Sequence, residues 1–304
     1  MEYVLQTNAV KKYYGNYHAL NGLTMRVPKG SIYGFVGKNG AGKTTLIRLV
    51  CGLQRPTDGE VNIYGIGHED KEIFKARRRM GAVVETPSIY LNMTAEENLK
   101  EQCRILGMPS FDGIAEILQL VGLENTGKKK AKNFSLGMRQ RLGIAVALTG
   151  NPDFLVLDEP INGLDPQGII DIRELILKLN RERGITVLVS SHILGELSKI
   201  ATHFGFIDKG KIVKEMSAVQ LDNACRKRIE ITVSDAKILS RVLDGLNIEY
   251  SVKSDTEAEI FGEIGVTELT LKLHDEHCDV KRMCEHSESL EAFYINLLGG
   301  KSNE

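Results

Sequence analysis

Residues Gly37 to Thr45, read as G-K-N-G-A-G-K-T-T, constrain the fold more than any other part of the chain. They follow an apolar run, Ile32 to Val36, and open a segment of helical character, Leu46 to Val50. Strand, glycine-rich turn and helix in that order make a phosphate-binding loop. Glycines let backbone N–H groups turn inward around a polyphosphate, and the N-terminus of the helix adds partial positive charge. Gly37, Asn39, Gly40 and Gly42 then shape the cradle together with Thr45. Lys43 reaches the outer phosphates, and the Thr44 hydroxyl is a Mg²⁺ ligand. ATP or GTP is the expected ligand.

The sheet around that loop is legible in two further runs. Asp153 to Asp158 and Thr186 to Ser191 are short, nearly continuous apolar stretches with β-branched residues, the pattern of strands covered on both faces. Between them Asp165-Pro166 offers an N-cap and a proline at the first helical position. Ile169, Ile172, Ile176 and Leu179 recur at helical spacing before Gly184. Strand, helix, strand implies parallel pairing.

From about Pro87 to Gly150 the pattern turns helical, with Leu99, Cys103 and Leu106 on one face, then Ile114, Ile117, Leu118 and Val121, then Leu142 and Val146. This predicts a helical subdomain at about 87–150, inserted in a domain spanning 1–220. Residues 221–304 read as a small α+β domain: Ile229, Ile231 and Val233 alternate, Ile238, Leu239, Val242 and Leu243 are helix-like, and Leu269, Leu271 and Leu273 alternate. Leu290, Phe293, Tyr294, Leu297 and Leu298 form a final helical stripe, with Ser289 as its cap and Gly299-Gly300 as its stop.

A chain of 304 residues accommodates such a pair of domains. Lys plus Arg number 39 against 40 Asp plus Glu, a net charge of −1, so no global field draws the chain to nucleic acid or an anionic bilayer. The basic runs Lys75 to Arg79 and Lys128 to Lys132 are short and read as solvated faces. Five irregularly spaced cysteines suggest no disulfide framework. No run approaches the roughly 20 apolar residues that span a bilayer, and no secretory leader is evident. The expected location is therefore cytoplasmic.

Asp158-Glu159 closes a buried strand and sets a Mg²⁺-directed carboxylate beside a second one. Asp158 suits the metal, and Glu159 suits a general base that orients or deprotonates the attacking water. Upstream lies Phe134 to Leu142, F-S-L-G-M-R-Q-R-L; downstream lie Asn162-Gly163-Leu164-Asp165 and Ser190-Ser191-His192. With these segments in this order the chain resembles ATP-binding cassette (ABC) ATPases over about residues 3–215. The resemblance implies an α/β P-loop NTPase core of ABC type with an inserted helical subdomain, here followed by the small α+β domain. It implies ATP and Mg²⁺ as cofactors and a head-to-tail dimer with a second copy of the chain. In that dimer Ser135 and Gly137 would bind the γ-phosphate in trans, His192 would contact it in cis, and Asp165 would link the two sites. Tyr14, before Gly15, matches the aromatic on which adenine stacks; as an aromatic near a chain end it is also an ordinary core candidate.

Two departures narrow the resemblance. The family's usual Leu-Ser-Gly-Gly-Gln is replaced by Phe134 to Met138, and Glu85 stands where glutamine is common. Both are similar to the subfamily of bacitracin export and lantibiotic self-immunity, whose ATPases pair with separately encoded permeases. The implied protein is an ATP-hydrolysing subunit, peripheral on the inner face of the membrane, that energises export of a peptide antibiotic or drug, with no nucleic-acid partner. Glu85 is then expected to act through Mg²⁺ or water, since a carboxylate lacks the amide donor; the alternative is a surface turn residue. Two other readings stay open: a soluble ABC ATPase of DNA maintenance or translation, and a non-catalytic nucleotide sensor. His274, His277, Cys278, Cys284 and His286 lie within a short span, but their spacing lacks the paired pattern of a zinc site.

Overall fold

The computed structural model describes residues 2–225, 228–261, 264–286 and 289–298. The chain divides into two compact units, 1–218 and 219–304.

The first unit opens with a long hairpin of β1 (Tyr3–Tyr14) and β2 (Tyr17–Pro28), followed by β3 (Ile32–Val36) and α1 (Lys43–Val50). Next come β4 (Asp58–Ile63), β5 (Ile66–Gly67), α2 (Ile73–Arg78) and β6 (Met80–Val83). Three helices follow, α3 (Ala95–Ile105), α4 (Ile114–Leu120) and α5 (Leu136–Leu148), and then β7 (Phe154–Asp158), α6 (Pro166–Arg183), β8 (Thr186–Ser191), α7 (Leu194–Leu197), β9 (His203–Asp208) and β10 (Lys211–Ser217). One sheet has the order β2-β1-β4-β5 and is antiparallel. The other has the order β10-β9-β3-β8-β7-β6, parallel from β9 to β6, with β10 antiparallel at its edge. Every residue of β3, β7 and β8 is buried, which is why their sequences are mainly apolar runs rather than alternating ones, with Asp158, Ser190 and Ser191 at the carboxyl ends of β7 and β8. Leu46, Ile47 and Val50 of α1 join Val10, Leu23, Phe35 and Val156 in one core cluster.

In the inserted helices Leu99 and Cys103 are buried as expected, whereas Leu106 is 43% exposed because α3 has already ended at Ile105. The α3 start carries a reciprocal cap: the Glu97 N–H donates to Thr94 Oγ1 at 3.2 Å, and the Thr94 N–H donates to Glu97 Oε2 at 2.7 Å. Helix α6 starts as its sequence prescribes, with the Gly168 N–H donating to Asp165 Oδ1 at 3.0 Å and Pro166 in the first turn.

After α8 (Ala218–Cys225), the second unit runs β11 (Arg228–Val233), α9 (Ala236–Gly245), β12 (Glu249–Val252), β13 (Glu257–Phe261), α10 (Val266–Asp275), β14 (Val280–His286) and α11 (Leu290–Leu297). Its antiparallel sheet has the order β12-β13-β11-β14. Ile229, Ile231 and Val233 pack with Leu239, Leu243, Leu269 and Leu273. The alternation expected at Leu269, Leu271 and Leu273 is corrected: these residues lie on α10, where Leu269 and Leu273 are one helical turn apart and buried while Leu271 is 59% exposed. A leucine at every second position fits both periods over so short a span. Helix α11 is capped by Ser289, whose Oγ accepts from the Ala292 N–H at 3.1 Å. Gly299-Gly300 lies outside the described residues. Among those residues no helix is long and apolar enough to cross a membrane.

Candidate functional site

The parallel strands deliver the site along their carboxyl edge. β3 ends at Val36, β8 at Ser191, β7 at Asp158 and β6 at Val83, so Gly37, His192, Glu159 and Glu85 each leave the sheet at the same side, in the strand order β3-β8-β7-β6. The Gly37 N–H donates to the Ser191 carbonyl at 3.2 Å, tying the start of the phosphate loop to the end of β8. Two glycines there are sterically required. A Cβ on Gly37 would lie 2.5 Å from Ile207 Cγ2, and one on Gly42, at φ +113°, would lie 2.6 Å from the Ala19 carbonyl oxygen. Asn39 and Gly40 are exposed at the turn of the loop, and Thr45 is half-buried in the first turn of α1.

Lys43 is 6% exposed, and its ammonium donates to the carbonyls of Gly37 at 2.6 Å and Lys38 at 3.3 Å. Glu159 Oε1 stands 3.1 Å from Lys43 Nζ, close enough for an ion pair yet off the line of a hydrogen bond. The other oxygen, Oε2, accepts from His192 Nδ1 at 2.9 Å, a tautomer that leaves Nε2 for a ligand. Glu159 thus sits between a lysine and a histidine. Its φ of +49° lifts its carboxylate off the end of β7 instead of letting it continue the strand.

Asp158 is 1% exposed and has a partner for each oxygen. Thr44 Oγ1 donates to Oδ2 at 2.8 Å, and Ser190 Oγ donates to Oδ1 at 2.6 Å. A hydroxyl and a carboxylate oxygen converging at the N-terminus of α1 form a hard oxygen donor set of the kind that Mg²⁺ shares with a nucleotide phosphate. Within the Ser190-Ser191-His192 segment the sequence assigns a role to His192 and none to Ser190, whose hydroxyl also accepts from the Glu159 N–H at 2.9 Å. A serine in an apolar strand carries no local signal; its meaning comes from its pairing opposite Asp158.

Other expected residues lie apart from this cluster. Glu85, at φ +61° just beyond β6, is 53% exposed and pairs with Arg48 of α1 instead of joining Thr44 and Asp158. The Tyr14 hydroxyl donates to Gln54, and the Lys12 ammonium stands 5.4 Å from the centre of its ring. Tyr17, which the sequence reading passed over, reaches the phosphate loop: its hydroxyl donates to the Gly40 carbonyl at 3.3 Å. Ser135 caps α5 by accepting from the Met138 N–H at 3.2 Å, Gly137 is half-buried in the first turn of that helix, and Asp165 caps α6. None of these three is hydrogen-bonded to Lys43, Asp158 or Glu159. Among the described residues no group of three or more His, Cys, Asp or Glu side chains could hold a metal ion, and Cys278 is buried against Ser234 and Asp235. The His286 side chain lies outside the described residues.

Residues 20–162 match the ABC transporter family. Over 305 aligned residues the chain is 41% identical to the bacitracin transport ATP-binding protein BcrA of Bacillus licheniformis, a match covering 99% of each protein. The chain belongs to the ABC transporter ATP-binding family. As an ABC ATPase it binds ATP and hydrolyses it. It is also 42% identical over 212 residues to the lantibiotic transport ATP-binding protein SrtF of Streptococcus pyogenes, covering 70% of this chain and 90% of that protein. Among solved structures, a dimeric ATP-binding cassette in a post-hydrolysis state, bound to ADP and Pi, superposes with a TM-score of 0.62 at 27% identity. That match covers 70% of this ABC ATPase and 98% of the solved chain.

Proposed function

We propose that this chain is the ATP-hydrolysing subunit of an exporter, working as a head-to-tail dimer on the inner face of the membrane beneath a separately encoded permease that expels a peptide antibiotic of the bacitracin class. The observation that carries the enzymatic half is the convergence of Lys43, Glu159 and His192 beside Thr44 and Asp158. The transport half is supported by the relatives, and above all by a bacitracin transport protein that aligns through residues 219–304 as well as through the ATP-binding unit.

In this reading Lys43 exchanges its loop carbonyls and Glu159 for the phosphates, and Thr44 with Asp158 would hold Mg²⁺. Bound there, the ion would neutralise charge on the phosphate oxygens. Glu159, released from Lys43, accepts a proton from the attacking water, and His192 keeps that carboxylate oriented through its Oε2. Ser135 and Gly137 act on the second copy's nucleotide, and Asp165 relays between the sites. Tyr14 is assigned the adenine and Glu85 the coupling to nucleotide state. The bacitracin and lantibiotic transport relatives favour this reading over a soluble ATPase.

The test is genetic. Deleting the gene in its native host is expected to increase sensitivity to bacitracin, with rescue by the wild-type gene and none by Glu159→Gln. Unchanged sensitivity in the deletion strain would overturn the substrate class.

A further inference from the structure

We propose that Ser190 is the positioning residue that sets both carboxylates of the site. This rests on the roles given above to Asp158 and Glu159. Ser190 is 0% exposed at the end of β8 and pairs in register with Asp158 of the neighbouring parallel strand. Its hydroxyl donates to Asp158 Oδ1 at 2.6 Å and accepts from the Glu159 N–H at 2.9 Å, while its own carbonyl stands 3.2 Å from that same N–H.

One hydroxyl therefore does two things at once that neither alanine nor valine can do, because both bonds need a group that is donor and acceptor together, as the hydroxyl of serine or threonine is. The bond to Oδ1 fixes the rotation of the Asp158 carboxylate, so that Oδ2 faces Thr44 Oγ1 at 2.8 Å. Without it, a buried carboxylate oxygen is left unsatisfied, and the group turns toward whatever donor remains, taking Oδ2 off the metal position. The bond from the Glu159 N–H holds the peptide where the chain enters its left-handed turn at φ +49°, the conformation that aims Glu159 between Lys43 and His192. Ser190, 0% exposed and bonded to Asp158 and to the Glu159 peptide, acts through the two residues it holds. A purely structural serine would affect folding and leave the chemistry alone.

The experiment compares wild type, Ser190→Ala, Ser190→Thr, Ser190→Val and Glu159→Gln in the full chain. It reads thermal midpoint, kcat and KM for ATP, and affinity for trinitrophenyl-ATP with Mg²⁺ and with EDTA. Threonine and valine are near-isosteric and both suit a strand, so they differ at this position by the hydroxyl. The expected result for Ala and Val is a kcat lowered by about ten- to a hundredfold with KM within about twofold. Their Mg²⁺-dependent gain in nucleotide affinity should shrink, and Thr should restore both readouts. Equal behaviour of Thr and Val, or a kcat in Ala within about twofold of wild type, would overturn the proposal. So would a Val variant that fails to fold while Thr folds, since that assigns the hydroxyl to stability. Turnover that survives Glu159→Gln would instead fault the assignment of the site itself.

Discussion

Exchanging Glu159 for glutamine should make the nucleotide-free chain less stable and the ATP-bound chain more stable, two opposite effects from one atom. In the free chain Glu159 Oε1 lies 3.1 Å from Lys43 Nζ, with Lys43 6% and Glu159 18% exposed. At an effective dielectric constant near 20, a pair at this distance attracts with about 5 kcal/mol, much of which the desolvation of both ions offsets. Breaking a fully buried pair costs about 3–5 kcal/mol. Lys43 keeps two carbonyl acceptors and Glu159 is partly solvated, so the loss here should be about 2 kcal/mol. For a unit of this size that lowers the midpoint by about 4–8 °C. Once ATP is bound, the phosphates supply the negative charge that Lys43 lost, and the repulsion between them and the Glu159 carboxylate is gone. The variant should then bind ATP more tightly than wild type while its turnover drops at least about a hundredfold through loss of the base. Scanning fluorimetry with EDTA and with Mg²⁺-ATP, beside phosphate release, reads all three. A variant with an unchanged nucleotide-free midpoint and unchanged ATP affinity would refute the competition for Lys43.

Gly42→Ala should abolish ATP binding in equilibrium dialysis, since its Cβ would sit 2.6 Å from the Ala19 carbonyl at a φ of +113°; near-normal affinity would contradict the steric argument. Glu85→Gln should shift the thermal midpoint little, because the pair with Arg48 is largely exposed and worth under about 1 kcal/mol, yet should change turnover or its coupling to the permease; unchanged ATPase and unchanged transport would refute the second part. Burial holds the His203 imidazole below its ordinary value of 6.5, partly opposed by Glu215, so the unfolded chain takes up the proton first as pH falls. That contribution to stability is intact above 6.5 and is lost as pH drops from 6.5 toward the lowered folded value, and His203→Gln should flatten the corresponding slope of thermal midpoint against pH.

The parts of this protein that a sequence reveals are those whose cause is local. Gly37 and Gly42 are fixed by close approaches, the Asp158 strand by burial on both faces, and the α6 start by Asp165-Pro166, and each leaves its mark within a few residues. What escaped depends on neighbours far along the chain. Ser190 acquires its role from a register partner 32 residues away, Tyr17 from the loop at Gly40, and Glu85 from Arg48 one turn beyond Thr44 on α1. The place of Glu85, where the family commonly has glutamine, directs it toward Mg²⁺ or water, while its pairing with Arg48 is a contact that no motif records. The misread period at Leu269, Leu271 and Leu273 has a different origin: leucine serves helix and strand alike, and the burial of Leu269 and Leu273 against β11 decides between them.

The measurement that bears most directly on the central claim is capture of the tagged full-length chain from gently solubilised membranes of its native host, with its companions identified by mass spectrometry. The account predicts co-purification of a protein with about six membrane-spanning helices, in a complex that hydrolyses ATP and loses that activity with Glu159→Gln. Recovery of the chain in the soluble fraction without any membrane protein would contradict it.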